Sequence, residues 1–202
     1  MTRAKKAADL RGLESLALAQ GGYFDRHDAL SHAIRDELLQ YHIRTGRFER
    51  LFPGVYRLTN APGSPHDDLL LAWVWSNYRA AISHESALAL YNLSDVLPSR
   101  VQMTVPPSFR RSSSPFEIHR SQLCDDEVQS FEGVNITVPA RTIVDAAAAG
   151  TGPEQIQLAV RQALDRALTT PERLRRAANR VGYRFRRAVK PLIDRAIADA
   201  ER

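Results

Sequence analysis

The feature that most constrains the fold is a change of hydrophobic period at Gly46. Before it, apolar residues recur every three or four positions, whereas residues 46–51 and 55–58 lose that spacing and are typical of short strands. The intervening Phe52-Pro53-Gly54-Val55 has a proline that presets the second turn position and a glycine that takes a positive φ at the third. The sequence therefore predicts a β-hairpin closed by a type II turn.

Three helices are predicted before this hairpin. They cover residues 10–17 before Gly21-Gly22, a short segment from Asp25 to Ser31 in which Asp28 completes the cap, and residues 34–45. Three helices, the second barely two turns long, followed by a hairpin are the order of a winged helix-turn-helix. In that fold the third helix enters the DNA major groove, and the hairpin contacts phosphates.

The third predicted helix has an apolar arc and an opposite polar face. The arc consists of Ile34, Leu38, Leu39, Tyr41 and Ile43, and the polar face of Asp36, Glu37, Gln40 and Arg44. Gln40 and Arg44 lie one turn apart and can pair bidentately with adenine and guanine edges. The two acids lie in the first turn, where the helix dipole favours them and where one could accept from a cytosine amino group.

These polar residues and the arginines of the hairpin form the predicted DNA-binding site. His32 and Arg35 lie near the N-terminal end of the helix, where base contacts usually begin. The full set is His32, Arg35, Asp36, Gln40, Arg44, Arg47, Arg50 and Arg57. The alternative is a small α+β domain whose polar helix face meets only solvent, because Asp36 and Glu37 would repel phosphates.

Charge is unevenly distributed along the chain, whose formal net charge is +5. Residues 1–60 hold 10 basic and 7 acidic side chains, residues 61–160 hold 6 and 11, and residues 161–202 hold 12 and 5. A positive excess at both ends favours a polyanionic partner. A second DNA contact is therefore predicted in the C-terminal helices, with a solvated surface as the alternative. It comprises Arg173, Arg176, Arg180, Arg184 and Arg187.

Turn-forming residues divide the chain into three predicted segments, and the predicted fold class is α+β. Residues 1–60 form the winged helix-turn-helix, residues 64–150 a mixed α/β domain with a small sheet, and residues 151–202 a basic helical segment packed on that domain. The central domain should contain three strands, near residues 101–105, 116–118 and 134–138. A break or kink is expected in the last helix at Pro191.

No arrangement of residues in the sequence predicts catalysis. Ser83-His84-Glu85 offers a nucleophile, a base and an acid, but neighbours on a helix point about 100° apart, so Ser83 is expected to cap a helix instead. A restriction-like nuclease would need Asp/Glu-x-Lys, and Lys5, Lys6 and Lys190 have no acid two positions earlier. Phosphate-binding glycine loops and metal-spaced His or Cys pairs are also absent. We expect no enzymatic activity, no catalytic residue, no metal and no cofactor.

The expected compartment follows from three further observations. Cys124 is the only cysteine, so an internal disulfide cannot form. The longest apolar run, residues 69–75, is far shorter than the roughly 20 residues of a membrane span. The N-terminus lacks the apolar stretch of a secretory signal. Together these features predict a cytoplasmic protein with no membrane partner.

Three stretches of the sequence resemble the AbiEi-like antitoxin and transcriptional-regulator family of bacterial abortive-infection toxin-antitoxin pairs. They are residues 46–56 (GRFERLFPGVY), 82–90 (ISHESALAL) and 137–145 (TVPARTIVD), in the family's order. The resemblance covers about residues 10–150 and does not extend to the last 50. In the third stretch, Arg141 and Asp145 form an i, i+4 pair expected to tether the helix that Pro139 begins, at a few tenths of a kcal/mol if exposed.

The resemblance implies a function as well as a fold. In such proteins the winged helix binds inverted repeats of double-stranded DNA in the operon's own promoter. The second domain is linked to neutralising a nucleotidyltransferase-like toxin, without a stable complex. The rival hypotheses are an orphan regulator without antitoxin activity, a winged helix that serves only as a protein-interaction scaffold, and a nuclease-like enzyme.

Overall fold

The structure, a computed structural model, describes residues 7–111 and 115–201, apart from the side chains of residues 183 and 184. The chain has a mixed α+β fold with two sheets, as predicted at the level of fold class. It divides into two compact units, the first ending at Arg79 and the second beginning at Ala80. We call them unit 1 and unit 2.

Unit 1 alternates short helices with a small sheet. Its elements are α1 (Leu10–Ala19), β1 (Tyr23–Asp25), α2 (Arg26–Ser31), α3 (Asp36–Arg44), β2 (Phe48–Phe52), β3 (Val55–Leu58) and α4 (Asp67–Trp75). The sheet order is β1-β3-β2, with both pairings antiparallel. The predicted hairpin is confirmed as β2 and β3, and Gly54 has the positive φ of +79° that its turn requires.

The core of unit 1 is built around Phe24 on β1. Its ring packs edge-on against Phe48 at 5.0 Å between centroids and stacks on Tyr56 at 5.4 Å. Leu13 of α1 and Leu39 of α3 are buried in the same cluster. Because aromatic side chains bury more apolar surface than any others, this cluster fixes both helices against the sheet.

The cap predicted for α2 is confirmed. The Asp25 carboxylate accepts from the Asp28 amide at 2.8 Å, and the Asp28 carboxylate accepts from the Asp25 amide at 2.9 Å. A helix of six residues gains little from propensity alone, so these two bonds and the burial of Ala29 define it.

The predicted boundary of the first domain is too early, because α4 belongs to unit 1. The helix packs against β1, and a Leu70 methyl lies only 2.5 Å from the position that a Cβ on Gly21 would take. Beyond the helix, Tyr78 donates a hydrogen bond to the Asp28 carboxylate and accepts one from Gln20 at 3.3 Å. An apolar helix needs cover on its faces, and β1 supplies part of it. The boundary therefore follows Arg79 rather than residue 60.

Unit 2 surrounds a five-stranded sheet with helices. Its elements are β4 (Ala81–Ile82), α5 (His84–Leu90), β5 (Gln102–Val105), β6 (Glu117–Arg120), a 3-10 turn (Asp125–Glu127), β7 (Val128–Phe131), β8 (Val134–Thr137), α6 (Pro139–Ala149), α7 (Pro153–Asp165), α8 (Pro171–Arg180) and α9 (Tyr183–Ala200). The sheet order is β6-β5-β4-β8-β7. The pairs β4–β8 and β5–β6 are parallel, and the other two are antiparallel.

The three strands predicted in this part of the chain are present, and two more accompany them. β4 has only two residues, and β7 carries the polar Gln129 and Ser130, so neither has a clear strand pattern. The three C-terminal helices pack on one another and on α6, so residues 151–202 belong to unit 2 and do not form a separate domain.

The helix α9 is not broken at Pro191, so of the expected break or kink only a kink is compatible with the structure. It continues from Tyr183 to Ala200 with the proline inside it. Val189, Ile193 and Ile197 are buried, and α9 packs against both α7 and α8. This tertiary packing outweighs the backbone hydrogen bond that proline cannot donate.

Candidate nucleic-acid interface

The helix α3 presents one polar face to solvent. Leu39 and His42 are its buried residues, whereas Gln40, Arg44 and Tyr41 are exposed. Tyr41 was predicted to be in the apolar arc and is instead 51% exposed. In an ideal helix it projects about 160° away from Leu39, and the His42 ring takes the inner position, 5.0 Å from Phe48.

Three residues on this face are available to a partner. Arg35, Gln40 and Arg44 are exposed, and no other described residue forms a side-chain hydrogen bond or ion pair with them. Arg35 precedes the helix with extended backbone (φ −84°, ψ 171°), so its direction is not tied to the helical projection. Gln40 and Arg44 lie one turn apart, as the sequence indicated.

Asp36, a predicted DNA-binding residue, is engaged by Arg26. The guanidinium donates to both carboxylate oxygens, from Nε at 3.0 Å and from a terminal nitrogen at 2.7 Å. This hydrogen bonding lowers the pKa of the exposed Asp36 carboxyl. The pair links the first turn of α2 to the first turn of α3, so the charge that would repel a phosphate is matched locally. Sequence reasoning missed Arg26, because an ion pair between two helices has no fixed spacing.

His32 is half-buried at the end of α2, and its ring is already used there. Nδ1 lies 2.9 Å from the Asp28 carbonyl oxygen and 3.0 Å from the Ser31 hydroxyl. A hydrogen bond to a DNA base would have to be formed by the other ring nitrogen, Nε2. The structure therefore places His32 in the connection between α2 and α3 and not on the exposed face.

The three arginines of the hairpin have different surroundings. Arg50 is exposed on β2, without an ion pair to any described residue. Arg47, just before β2, donates to the Glu14 carboxylate of α1 at 2.7 Å and is about half exposed. Arg57, on the central strand β3, is only 19% exposed.

Arg57 is held inside unit 1 by several contacts. It donates to the carbonyl oxygens of Ala61 at 3.4 Å and Pro62 at 3.2 Å, and it lies 3.6 Å from the Asp67 carboxylate. Its guanidinium also sits over the Tyr23 ring, 5.3 Å from the centroid. β3 is paired with β1 on one side and β2 on the other, and the loop after β3 folds back over the Arg57 side chain. A DNA contact by Arg57 would require these bonds to break.

The arginines predicted as a second contact lie on α8 and α9 of unit 2. Arg173, Arg176 and Arg180 share one face of α8, and Arg180 donates to Asp126 at 3.0 Å. Arg187 is exposed on α9. The side chain of Arg184 lies outside the described part of the chain.

Ser83 occupies the N-cap position of α5, as predicted, but its side chain forms no cap hydrogen bond. Its hydroxyl instead bonds His84 Nδ1 at 2.8 Å and accepts from Thr104 at 2.9 Å. The hydroxyl is used by His84 and Thr104, and the positive φ of +55° at His84 means that these neighbouring side chains are not separated as they would be on a helix. Glu85 accepts from Thr151 at 2.8 Å and forms no described hydrogen bond with His84, so the three residues do not form a triad.

His84 stacks on His119, with ring centroids 3.5 Å apart. Burial, followed by the charges on His119 and Arg141, lowers the pKa of His84 to about 3. Burial also lowers the pKa of His119. Both rings line a cavity of about 620 Å³ and are neutral at physiological pH. Their contact could not be predicted from spacing, because His84 lies on α5 and His119 on β6.

Arg141 is the centre of a buried ionic network. It donates to Asp145 at 2.8 Å, contacts Glu127 at 3.1 Å and donates to Ser121 at 3.2 Å. The predicted i, i+4 pair is confirmed, but it is buried and not exposed. Burial raises the pKa of Asp145, while Arg141 opposes that shift. One guanidinium thus joins α6, the 3-10 turn and the segment after β6.

The described residues include neither a metal-binding cluster nor a membrane-spanning helix. No three His, Cys, Asp or Glu side chains come together in a way that could hold a metal ion. Within the same residues, no helix has both the length and the apolar character needed to cross a membrane.

The fold is shared with a solved structure. The crystal structure of the RV2827C protein from Mycobacterium tuberculosis matches with a TM-score of 0.61, over 97% of this chain and 82% of that one. The two sequences are 17% identical, so the match establishes similarity of fold alone. No protein-family model and no curated protein matches the chain.

Proposed function

We propose that the protein is a DNA-binding transcriptional regulator in which unit 1 acts as a winged helix-turn-helix. The observation that carries the proposal is the exposed face of α3, where Gln40 and Arg44 lie one turn apart with no described partner. These two side-chain types form bidentate hydrogen bonds with adenine and guanine in the major groove. Their placement meets the requirement for direct recognition of base edges.

The order of elements in unit 1 supports the winged-helix assignment. Three helices precede the β2–β3 hairpin, and β1 adds a third strand beside β3. The short α2 is linked to the start of α3 by the Arg26–Asp36 pair. This corresponds to the division of roles in helix-turn-helix proteins, where one helix supports the helix that enters the groove.

The dimensions of α3 are compatible with a major groove. An α-helix with its side chains is about 10–12 Å in diameter, and the groove is about 12 Å wide, so α3 can enter it. Arg35 stands at the N-terminal end, from which base contacts usually begin.

The internal contacts of unit 1 reduce the number of residues that are proposed to contact DNA. Arg35, Gln40 and Arg44 are proposed to face bases, and Arg50 to face a phosphate. Arg47 joins them only if its bond to Glu14 is exchanged for one to DNA. We leave out His32, whose Nδ1 is bonded inside unit 1, and Arg57, whose side chain is mostly buried and bonded to Ala61 and Pro62, and we assign Asp36 the role of fixing α3 through Arg26.

The resemblance to AbiEi-like proteins supports a more specific proposal. The protein would repress its own operon in the cytoplasm by binding inverted repeats, and it would act as the antitoxin for a nucleotidyltransferase-like toxin without forming a stable complex. The support comes from residues 46–56, 82–90 and 137–145. Residues 46–56 include the hairpin to which Arg47 and Arg50 belong.

The experiment that tests this proposal is a footprint on the DNA upstream of the protein's own gene. Hydroxyl-radical footprinting should show two protected half-sites of related sequence in opposite orientation, about one helical turn or a multiple of it apart. Scrambled DNA of equal length serves as the control. Equal affinity for both DNAs would contradict a sequence-specific regulator, and no binding to either would favour the protein-interaction scaffold.

A further inference from the structure

A second cavity of unit 2, about 290 Å³ in volume, lies between one face of α8 and the beginning of α6. Arg173, Arg176 and Arg180 project from that face at positions i, i+3 and i+7. Arg180 is bonded to Asp126, but Arg173 and Arg176 form no side-chain bond or ion pair with other described residues. Like charges on adjacent turns of a helix repel each other, so a bound anion would relieve an unfavourable interaction.

The N-terminus of α6 adds donors to the same cavity. Val138 is the N-cap and provides no side-chain cap, and Pro139 occupies the first helical position. The Thr142 amide donates to the Val138 carbonyl, so the amides of Ala140 and Arg141 precede the bonded turns. All three residues that begin this eleven-residue helix line the cavity. Amides at such a position favour an anion, and the helix dipole adds to the effect.

The hydroxyl of Thr169 is a second, independent observation that points to a ligand. Thr169 lines the cavity and is 5% exposed, yet its Oγ1 has no hydrogen-bond partner. Its neighbour Thr170 is occupied as the cap of α8, accepting from the Arg173 amide at 3.3 Å. A buried hydroxyl without a partner is unfavourable, and a ligand oxygen in the cavity would satisfy it.

Two carboxylates also line the cavity. Asp126 accepts from Arg180, and Glu127 lies 3.1 Å from Arg141, while its buried Oε1 has no hydrogen-bond partner and lies 3.5 Å from Arg180. Because Arg141 also pairs with Asp145, the four arginines that line the cavity exceed the three carboxylates they meet by one positive charge, which favours an anion. Leu168, Val138 and Ala177 provide an apolar wall beside the charged face.

We propose that this cavity binds the phosphate group of a small phosphomonoester. Two guanidinium groups, two helix-terminal amides and one hydroxyl form a donor set suited to a phosphate anion. The volume is near the lower end of the range for small-molecule sites and is too small for a DNA duplex. This proposal is independent of DNA binding by unit 1.

The test is a calorimetric titration of the full chain with inorganic phosphate, adenosine 5′-monophosphate and guanosine 5′-monophosphate, with sodium sulfate and adenosine as comparison ligands. Saturable binding of at least one phosphate compound, weakened by added salt, is expected. Similar affinity for inorganic phosphate and the nucleotides would support a site that recognises the phosphate group alone. Tighter nucleotide binding would also support the proposal and would show that the apolar wall contacts the remainder of the ligand.

Two variants separate this site from general electrostatic attraction. Combined Arg173→Ala and Arg176→Ala should weaken binding by roughly tenfold or more, because each removes a charge-assisted hydrogen bond. The matched control is combined Arg186→Ala and Arg187→Ala, which removes the same charge from exposed positions on α9 that do not line the cavity. The control should bind as tightly as the wild type.

Thr169→Val keeps the shape of the side chain and removes only the unpartnered hydroxyl. It should weaken phosphate binding severalfold while leaving the unliganded Tm unchanged or raised, since no hydrogen bond is lost in the free protein.

Absence of saturable binding by the wild type, or equal affinity in the wild type and the Arg173/Arg176 variant, would overturn the proposal. So would a result in which this double variant weakens duplex binding and no small phosphate compound binds.

Discussion

Arg50 and Arg57 lie seven positions apart in one hairpin, but their side chains have opposite surroundings. Arg50 is exposed on an edge strand, whereas Arg57 is on the central strand and donates to the carbonyl groups of Ala61 and Pro62. The hairpin itself could be predicted, because Pro53 and Gly54 are local turn signals. The internal contacts of Arg57 could not be predicted, because they depend on the path of the loop that follows β3.

Replacing these arginines one at a time should therefore give different results. Arg57→Ala should lower the free energy of unfolding by about 1–3 kcal/mol, since it leaves partly buried acceptors without a donor. It should leave the slope of log K against log salt for DNA binding unchanged. Arg50→Ala should reduce that slope by about one unit, because one phosphate contact is lost, and should leave stability unchanged.

Urea denaturation and DNA titration at several salt concentrations measure the two quantities. Arg11→Ala, at an exposed position on α1, is the control for both. A reduced salt slope in Arg57→Ala, at wild-type stability, would place Arg57 at the DNA and contradict the contact set proposed above.

His84 should make the protein lose stability in acid. Its pKa in the folded chain is about 3, whereas the ordinary value is 6.5, so below pH 6.5 the unfolded chain binds a proton that the folded chain does not. The free energy of unfolding should therefore fall as the pH falls from 6.5 toward 3, and the contribution is fully present above pH 6.5. The groups facing the ring are Arg141, whose positive charge acts in the same direction, His119, which does so once it is protonated in acid, and Ser83, which bonds Nδ1.

Calorimetric Tm values between pH 4 and 8 test this prediction. His84→Gln should lower the Tm at neutral pH and flatten its decline in acid, whereas His27→Gln, at an exposed position, should keep the wild-type profile. A wild-type decline retained by His84→Gln would show that other groups cause the acid sensitivity.

At the scale of elements, α2 shows what local spacing can predict. Its cap depends on two acids three positions apart, so the start of the helix follows from the sequence. β1 was missed because Tyr23, Phe24 and Asp25 are all buried, which leaves no alternation to detect. The residues on the buried face of α3 were predicted wrongly for a related reason. His42 is a polar residue type, but its ring packs against Phe48 inside unit 1.

The cap of α2 should be measurable as a stability difference. Asp25→Ala should cost about 0.5–2 kcal/mol in the free energy of unfolding, because the Asp28 amide loses its acceptor. Asp25→Asn retains an acceptor oxygen and should cost less than half as much. Urea denaturation of the two variants measures the difference, and equal losses would mean that the side-chain cap does not stabilise α2.

At the scale of the whole molecule, the α+β class could be predicted, but the division into units could not. α4 belongs to unit 1 through contacts such as Leu70 with Gly21, which no local composition indicates. In unit 2, the sheet order brings β4 beside β8, and Arg141 joins segments around residues 121, 127 and 145. Sheet order and buried ionic networks depend on tertiary contacts between distant residues, so hydrophobic period and turn signals do not reveal them.

The most direct test of sequence-specific binding is a paired titration of the full chain on its footprinted site and on scrambled duplex at the same salt concentration. Gln40→Ala and Arg44→Ala should each cost about 1–3 kcal/mol on the footprinted site and much less on scrambled DNA. The Arg11→Ala control should bind both duplexes as the wild type does. Equal losses on the two duplexes would mean that α3 contacts only the DNA backbone, and no loss on either would contradict recognition by this helix.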